Sequence, residues 1–219
     1  TIGILMDSFT AARWEMDKKY FEEEVNALGT SLILKIGDGS GENQVVLAEE
    51  MIEEGIDVLI IIAANVNTAA AIVRNAHDHD IKVIAYDRLI RNSELDYFVG
   101  FDAQQIGSLQ AEYALSQRPT GNYVLLEGDP TDLNAINFEK GQRTVLDPAI
   151  ERGDVKILYR VFVDNWSVPE AENEIEKVLK LTDKKIDVIL SANDGNALGA
   201  RNALEKLKIN DEIVITGLD

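Results

Sequence analysis

The 219 residues include no cysteine, which removes disulfides, thiolate nucleophiles and thiolate metal ligands together. There are only two histidines, His77 and His79, and no Gly-x-Ser-x-Gly elbow, so a Ser-His-Asp triad has no convincing member. Basic residues are scarce. Lys and Arg number 21 against 39 Asp and Glu, a formal charge of −18. That balance argues against phosphate-rich partners, both nucleic acid and an anionic membrane surface. Long apolar runs are missing too: the longest, Val58 to Ala64, falls far short of the ~20 residues that span a bilayer. The chain opens on strand-like Thr1-Ile-Gly-Ile with no basic n-region or apolar h-region, so any signal segment is absent from this sequence. No pattern requires a cofactor or a metal.

What is present is a repeated motif. Apolar runs end in polar residues at Met6 before Asp7, at Ile62 before Ala-Ala-Asn65, at Tyr86 before Asp87-Arg88, at Leu190 before Ser-Ala-Asn193, and at Thr216 before Gly-Leu-Asp219. Short continuous apolar runs alternating with helical segments mark a parallel sheet buried on both faces. In open α/β sheets the ligand crevice lies outside the carboxyl ends of the strands. Asp, Asn and Arg side chains are therefore expected where such a sheet holds its ligand, and that set suits a small, neutral, hydroxyl-rich molecule.

Periodicity predicts strands over Ile2–Met6, Ser31–Ile36, Val58–Ile62 and Lys82–Tyr86, then an extended piece Asp96–Phe101. Helices are expected over about Ala11–Leu28, Asn43–Glu54 and Thr68–His77, with Gly29 and Gly55 as C-terminal stops. The pattern continues with helix Gln104–Ser116 and then restarts. Strands are expected at Asn122–Leu126, Val155–Val163, Val188–Leu190 and Ile213–Thr216, with helices at Ala135–Leu146, Glu170–Leu181 and Ala197–Leu207. An internal echo supports two similar lobes. Ile56-Asp-Val-Leu59 opens a strand–helix–strand unit ending at Asp87, and Ile186-Asp-Val-Ile189 opens another ending at Asp219. The expected fold is α/β, two Rossmann-like lobes with parallel sheets, divided into residues 1–102 and 103–219.

Several residues carry candidate binding chemistry. Asp87 accepts from hydroxyls and the Arg88 guanidinium donates in a planar fork, so together they suit vicinal hydroxyls. A structural ion pair or a turn cap is the plainer alternative. Arg13-Trp14 lies at the start of the first helix, where an aromatic serves the core as readily as a site. Trp166, in a Pro-bounded loop, offers a flat apolar plate with one polar N–H. Asn134 and Asn193 can both donate and accept, and either can instead cap the helix that follows it. Gly37-Asp-Gly-Ser-Gly41 lacks the third glycine of a dinucleotide fingerprint, and its acidic residues would repel pyrophosphate, which leaves a flexible loop. His77-Asp-His79-Asp80 looks like a metal cluster, but positions i and i+2 of a helix point apart, which leaves a frayed helix end.

Ala12-Arg-Trp-Glu15, Ile81-Lys-Val-Ile-Ala-Tyr-Asp-Arg88, Asp132-Leu-Asn-Ala135, Asp164-Asn-Trp166 and Ser191-Ala-Asn-Asp194 together resemble the periplasmic sugar-binding proteins of ABC transporters, of type I fold. The likeness runs over essentially the whole chain and is strongest to the D-xylose-binding branch. It implies a sugar held between the two lobes, a hinge crossing near Gly100–Ala103, and no catalysis. By position, the family's ligand groups fall on Arg13, Asp87, Arg88, Asn134, Asn193 and Asp219, its stacking aromatics on Trp14 and Trp166, and a polar strand-end residue on Asp7. The resemblance also implies an extracytoplasmic protein that presents an aldopentose such as D-xylose to a membrane transporter permease or to a sensor histidine kinase. Members continue well past the position of Asp219, so the C-terminal part is expected to be truncated, and Leu133 stands where a second polar residue is common. The effector-binding core of a LacI-type regulator shares the fold and is the alternative. It would need an N-terminal helix-turn-helix, which this sequence does not contain.

Overall fold

The apolar runs become parallel strands in a computed structural model that describes residues 1–8, 13–183, 185–209 and 211–218. The chain divides into two units, Thr1–Phe101 and Asp102–Asp219. In the first, β1 (Ile2–Met6), β2 (Leu32–Ile36), β3 (Val58–Ile61), β4 (Lys82–Tyr86) and β5 (Tyr97–Val99) form one sheet in the order β2-β1-β3-β4-β5, with every pairing parallel. Period-2 alternation divides the side chains of its strands between two layers. Ile4, Met6 and Ile62 pack with Trp14 and Phe21 of α1 (Arg13–Ala27) on one face. Leu5, Leu59 and Ile61 pack on the other against α2 (Gly41–Glu53) and α3 (Val66–Asp78). Gly29 and Gly55 take positive φ, 66° and 82°, and let the chain leave α1 and α2 in the left-handed turn that ends a helix.

The second unit opens with α4 (Ala103–Gln117) and then repeats the scheme. Its sheet runs β7 (Val155–Phe162), β6 (Gly121–Glu127), β8 (Val188–Ser191) and β9 (Val214–Ile215), again all parallel. Tyr123, Leu125, Val188 and Leu190 face α4 and α5 (Leu133–Glu151). Val124, Leu126 and Ile189 face α6 (Val168–Leu181) and α7 (Asp194–Lys206). The two echoing sequence units, β3-α3-β4 and β8-α7-β9, occupy the same place in the two strand orders. Among the described residues no helix is long and apolar enough to cross a membrane.

Four local expectations need correction. Helix α5 was expected to stop near Leu146 but continues to Glu151 through Pro148, forgoing the one i→i−4 bond that a proline cannot donate. Strand β9 holds only Val214 and Ile215; Thr216, just past it, still donates its N–H to the Ile189 carbonyl at 3.2 Å and also binds Ser191 through its hydroxyl, accepting from the N–H at 2.9 Å and donating to the carbonyl at 3.0 Å. The glycine-rich segment after β2 is a built turn: Ser40 caps α2 by accepting from Asn43 N–H at 3.1 Å, and a Cβ on Gly41 would meet Thr68 Oγ1 at 2.4 Å. His77 is not on a frayed end. Its Nε2 lies 2.9 Å from Asp96, which also binds Lys82 Nζ at 2.8 Å and Val83 N–H at 2.9 Å. These partners, Lys82 first, hold the Asp96 carboxyl well below the usual carboxylate range.

Helices α4 and α5 approach backbone to backbone. A Cβ on Gly107 would stand 2.0 Å from the Phe138 carbonyl oxygen, and one on Gly141 would stand 1.9 Å from that of Gln104. Ser108 Oγ bridges the crossing by donating to the Gly141 carbonyl at 3.2 Å. Because the obstacle at each glycine is main chain, neither helix can yield without moving as a body. Gly107→Ala or Gly141→Ala is expected to destabilise the second unit by about 1–3 kcal/mol, the usual cost of overpacking. Chemical denaturation of the two variants against wild type measures it.

Candidate functional site

In both sheets the strand order reverses between the first strand and its neighbours, β1 against β3 and β6 against β8. At such switch points the loops leaving the carboxyl ends diverge and open a crevice. In the first unit the bordering residues are Asp7, just past β1, and Ala63, just past β3. Arg88, just past β4, reaches across both. Its Nη1 donates to Asp7 Oδ2 at 2.7 Å and to the Ala63 carbonyl at 2.9 Å. The two side chains are 12% and 11% exposed, so this ion pair is shielded from water on most sides. Asp7 Oδ1 is buried and accepts no hydrogen bond among the described residues, which leaves a carboxylate lone pair ready for a donor.

Asp87 takes a positive φ of 65°, with its N–H bonded to the Val99 carbonyl at 2.7 Å. That turn lets consecutive residues carry different pairs: Arg88 goes to Asp7, while Asp87 Oδ1 lies 3.5 Å from Arg13 Nη1. Arg13 also donates to Asp17 at 3.3 Å and lies over the Trp14 ring, 4.3 Å from its centroid. Trp14 itself is only 4% exposed and packs with Ile4, Met6 and Ile62. Of the two readings given to it, the core reading describes its packing, and most of the indole is not an open plate.

In the second unit Trp166 closes a 3-10 turn, Asp164–Trp166, in which Asn165 and Trp166 both have positive φ, 55° and 53°. The loop after β6 fixes this turn. Asp129 accepts from Asn165 N–H, and Asp132 accepts from the indole Nε1 at 3.3 Å. The ring lies against Gly128, where a Cβ would come within 2.0 Å of it, and meets Phe138 edge-on with centroids 6.4 Å apart. Half-buried, it joins Phe138, Ala103, Ala192 and Leu218 in a small apolar cluster.

Asp132, not Asn134, caps α5, accepting from Asn134 N–H at 2.9 Å. Asn134 is thus released from the capping alternative and sits half-buried on the first turn. Asn193 does cap its helix: Oδ1 accepts from Asn196 N–H at 2.8 Å. Asp219 lies outside the described residues. No group of three or more His, Asp or Glu side chains suited to a metal ion occurs among the described residues.

Sequence reading missed the amides that hold these loops. Gln44, fully buried, donates to the carbonyls of Met6 at 3.1 Å and Ile62 at 2.8 Å and accepts from Ala64 N–H at 2.8 Å. It ties the two loops that border the first switch point. Gln110 donates to the carbonyls of Ala192 at 3.0 Å and Gly217 at 3.3 Å, beside the second. A polar residue on the inward face of an amphipathic helix was the available signal.

Comparison with known proteins gives a consistent picture. A family model described as "Periplasmic binding protein domain" matches residues 2–219. The D-xylose-binding periplasmic protein of Haemophilus influenzae is 36% identical over 218 residues, covering all of this chain and 66% of that protein. The chain therefore spans just under two thirds of that relative's length. An ABC transporter solute-binding protein from Clostridium phytofermentans, solved with bound β-D-glucose, superposes with a TM-score of 0.93 at 29% identity, over 100% of this chain and 72% of that one. The fructose-binding periplasmic domain of a hybrid two-component system has a TM-score of 0.89 at 26% identity, over 100% and 71%.

The Arg88–Asp7 pair is the shielded contact on which the first unit's strand-end loops converge. Arg88→Ala strands the Asp7 carboxylate and is expected to cost about 3–5 kcal/mol of stability. The double change Arg88→Ala with Asp7→Ala should recover part of that loss. Urea denaturation of the four proteins in the cycle measures the coupling.

Proposed function

The chain belongs to the periplasmic binding protein domain family, and on that premise we propose that it captures an aldose sugar, with D-xylose the leading ligand, and releases it unchanged. The observation that carries the reading is the set of groups at the carboxyl ends of the strands. Asp7 has a vacant acceptor, Asp87 and Arg88 lie beside it, and Asn134, Asn193 and Trp166 occupy the corresponding edge of the second sheet. Such groups bond hydroxyls and stack on the C–H faces of a pyranose, and none of them is arranged as a nucleophile with its base. The likeness to the D-xylose-binding relative supports a pentose, whereas the glucose-bound neighbour supports a site that also admits a hexose.

On this reading the protein works outside the cytoplasm and hands its sugar to a membrane partner. A transporter permease is the first candidate, in keeping with the solute-binding neighbours, and a sensor histidine kinase is the second, in keeping with the fructose-binding sensor domain. Pull-down with either partner separates them.

Titration calorimetry of the whole protein with D-xylose, D-ribose, L-arabinose and D-glucose tests the core of the proposal. Xylose is expected to bind with the highest affinity, and incubation with each sugar should yield no product. A sugar lacking one bonded hydroxyl should bind far more weakly, since a buried polar group would be left unpaired. Absence of binding heat with every aldose would refute the reading.

Substitutions rank the site groups. Asp87→Ala is expected to cost about 2–5 kcal/mol of affinity by removing the acceptor of a sugar hydroxyl and one of the carboxylates beside Arg13. Trp166→Ala should cost about 1–3 kcal/mol, the range found for stacking on an aromatic plate. Calorimetry on each variant decides it, and wild-type affinity would remove that residue from the site.

A further inference from the structure

Glu127 is the last residue of β6 and is fully buried. Alternation along the strand puts it on the same face as Tyr123 and Leu125, toward α4 and α5. Neither carboxyl oxygen has a hydrogen-bond donor among the described residues. An ionised carboxylate in that position would be among the costliest groups a protein can bury. Its neighbour Gln142, also fully buried, has the matching deficiency: its Oε1 has no donor.

Turning the amide cannot repair this, because the chain of amides is pinned from its far end. Gln110 Nε2 must face the Ala192 and Gly217 carbonyls, to which it donates, so Gln110 Oε1 faces Gln142. Gln142 Nε2 is therefore the donor to Gln110 Oε1, at 3.1 Å, and Gln142 must present its oxygen elsewhere. The Gln142 side chain interacts with the Glu127 carboxyl, and all three oxygens are buried without a donor among the described residues, so a single proton between the two groups would meet the need of both.

We propose that Glu127 is held as the neutral acid and donates its proton to Gln142 Oε1, so that a relay from Glu127 through Gln142 and Gln110 positions the loops after β8 and β9. Those loops carry Asn193 and Leu218 and are joined by the Asp194 N–H bond to the Leu218 carbonyl, 2.9 Å long. Their importance for a ligand rests on the sugar-binding reading, while the protonation and the positioning stand apart from it. Electrostatics points the same way. Burial first, then Glu139 of α5, push the Glu127 carboxyl well above the carboxylate range; Arg160 of β7, itself paired with Glu139, and the adjoining Gln142 side chain pull the other way and do not outweigh them. From α4 and α7 the side chains bonded at this strand end are the neutral Gln110 and Asn196, the latter donating to the Glu127 carbonyl at 2.9 Å.

The sign of the pH effect follows. Above the ordinary carboxyl pKa of about 4.3 the unfolded chain has released this proton and the folded chain retains it, so folding stability from Glu127 falls as pH rises. Glu127→Gln supplies a permanent donor without the titration. Its unfolding constant is expected to drop relative to wild type by up to tenfold per pH unit across that window, until the folded carboxyl itself ionises.

Three measurements, none needing sugar, decide the proposal. In carbon-13 NMR of the wild-type protein, the carboxyl resonance missing from Glu127→Gln should stay at its protonated position at pH 7. Amide hydrogen exchange at Asp194 should quicken at least tenfold in Glu127→Ala and return to the wild-type rate in Glu127→Gln. A carboxyl that titrates with the surface glutamates would overturn the protonation, and unchanged Asp194 exchange in Glu127→Ala would overturn the positioning. Should Glu127→Ala fail to fold, Gln142→Leu cuts the relay at its second member and is read in the same way.

Discussion

Main-chain groups just beyond the last rung of a buried parallel sheet must find partners without water, and everything at the strand ends depends on how they do so. A carbonyl such as that of Ile62 or Ala192 lies past the last residue of its strand but still inside the protein. In the first unit Gln44 meets the need by bonding Met6, Ile62 and Ala64 at once. In the second, Gln110 binds Ala192 and Gly217, and Asn196 binds Glu127. An amide can donate and accept in one plane, which lets a single side chain hold two diverging loops at a fixed separation. The loops so held carry Asp7 and Asn193 in definite places.

The sheets were legible because burial on both faces imposes continuous apolar runs, and the helices because Gly29 and Gly55 mark their stops. Legibility ended where a feature depends on a partner distant in sequence. The apolar pattern ends at Leu146, yet the helix runs on through Pro148 to Glu151. Thr216 reads as strand, yet its hydroxyl binds Ser191. Among the candidate groups, Asp7, Asp87, Arg88 and Asn193 were visible from their position after a strand. Trp14 could not be divided between core and site, since an aromatic on an amphipathic helix has the same pattern in either role. Gln44, Gln110 and Gln142 went unnoticed because a polar residue on an inward helix face declares itself only once its carbonyl partners are known.

Charge is distributed by a different rule. Several ion pairs are exposed and of i,i+4 spacing, such as Lys18–Glu22, Lys19–Glu23 and Arg201–Glu205, each contributing little. The shielded pairs gather instead at the first unit's strand ends, where Arg88 meets Asp7 and Arg13 meets Asp87. With a net charge of −18 the surface repels anions at long range, which suits a neutral ligand and disfavours sugar phosphates.

The turn that carries Trp166 has a kinetic consequence. Two successive non-glycine residues in the left-handed region each cost of order 1–3 kcal/mol and persist only where their surroundings over-determine them. Here Asp129, Asp132, Gly128 and Phe138 supply that determination. An indole so fixed has no rotamers to surrender when a ring stacks on it, sparing the roughly 0.5–1.5 kcal/mol that ordering a mobile side chain would take. On the proposed sugar-binding reading, capture at such a surface would be governed by diffusion and encounter, and discrimination among sugars would pass to the lifetime of the complex, to how long each one stays before it leaves.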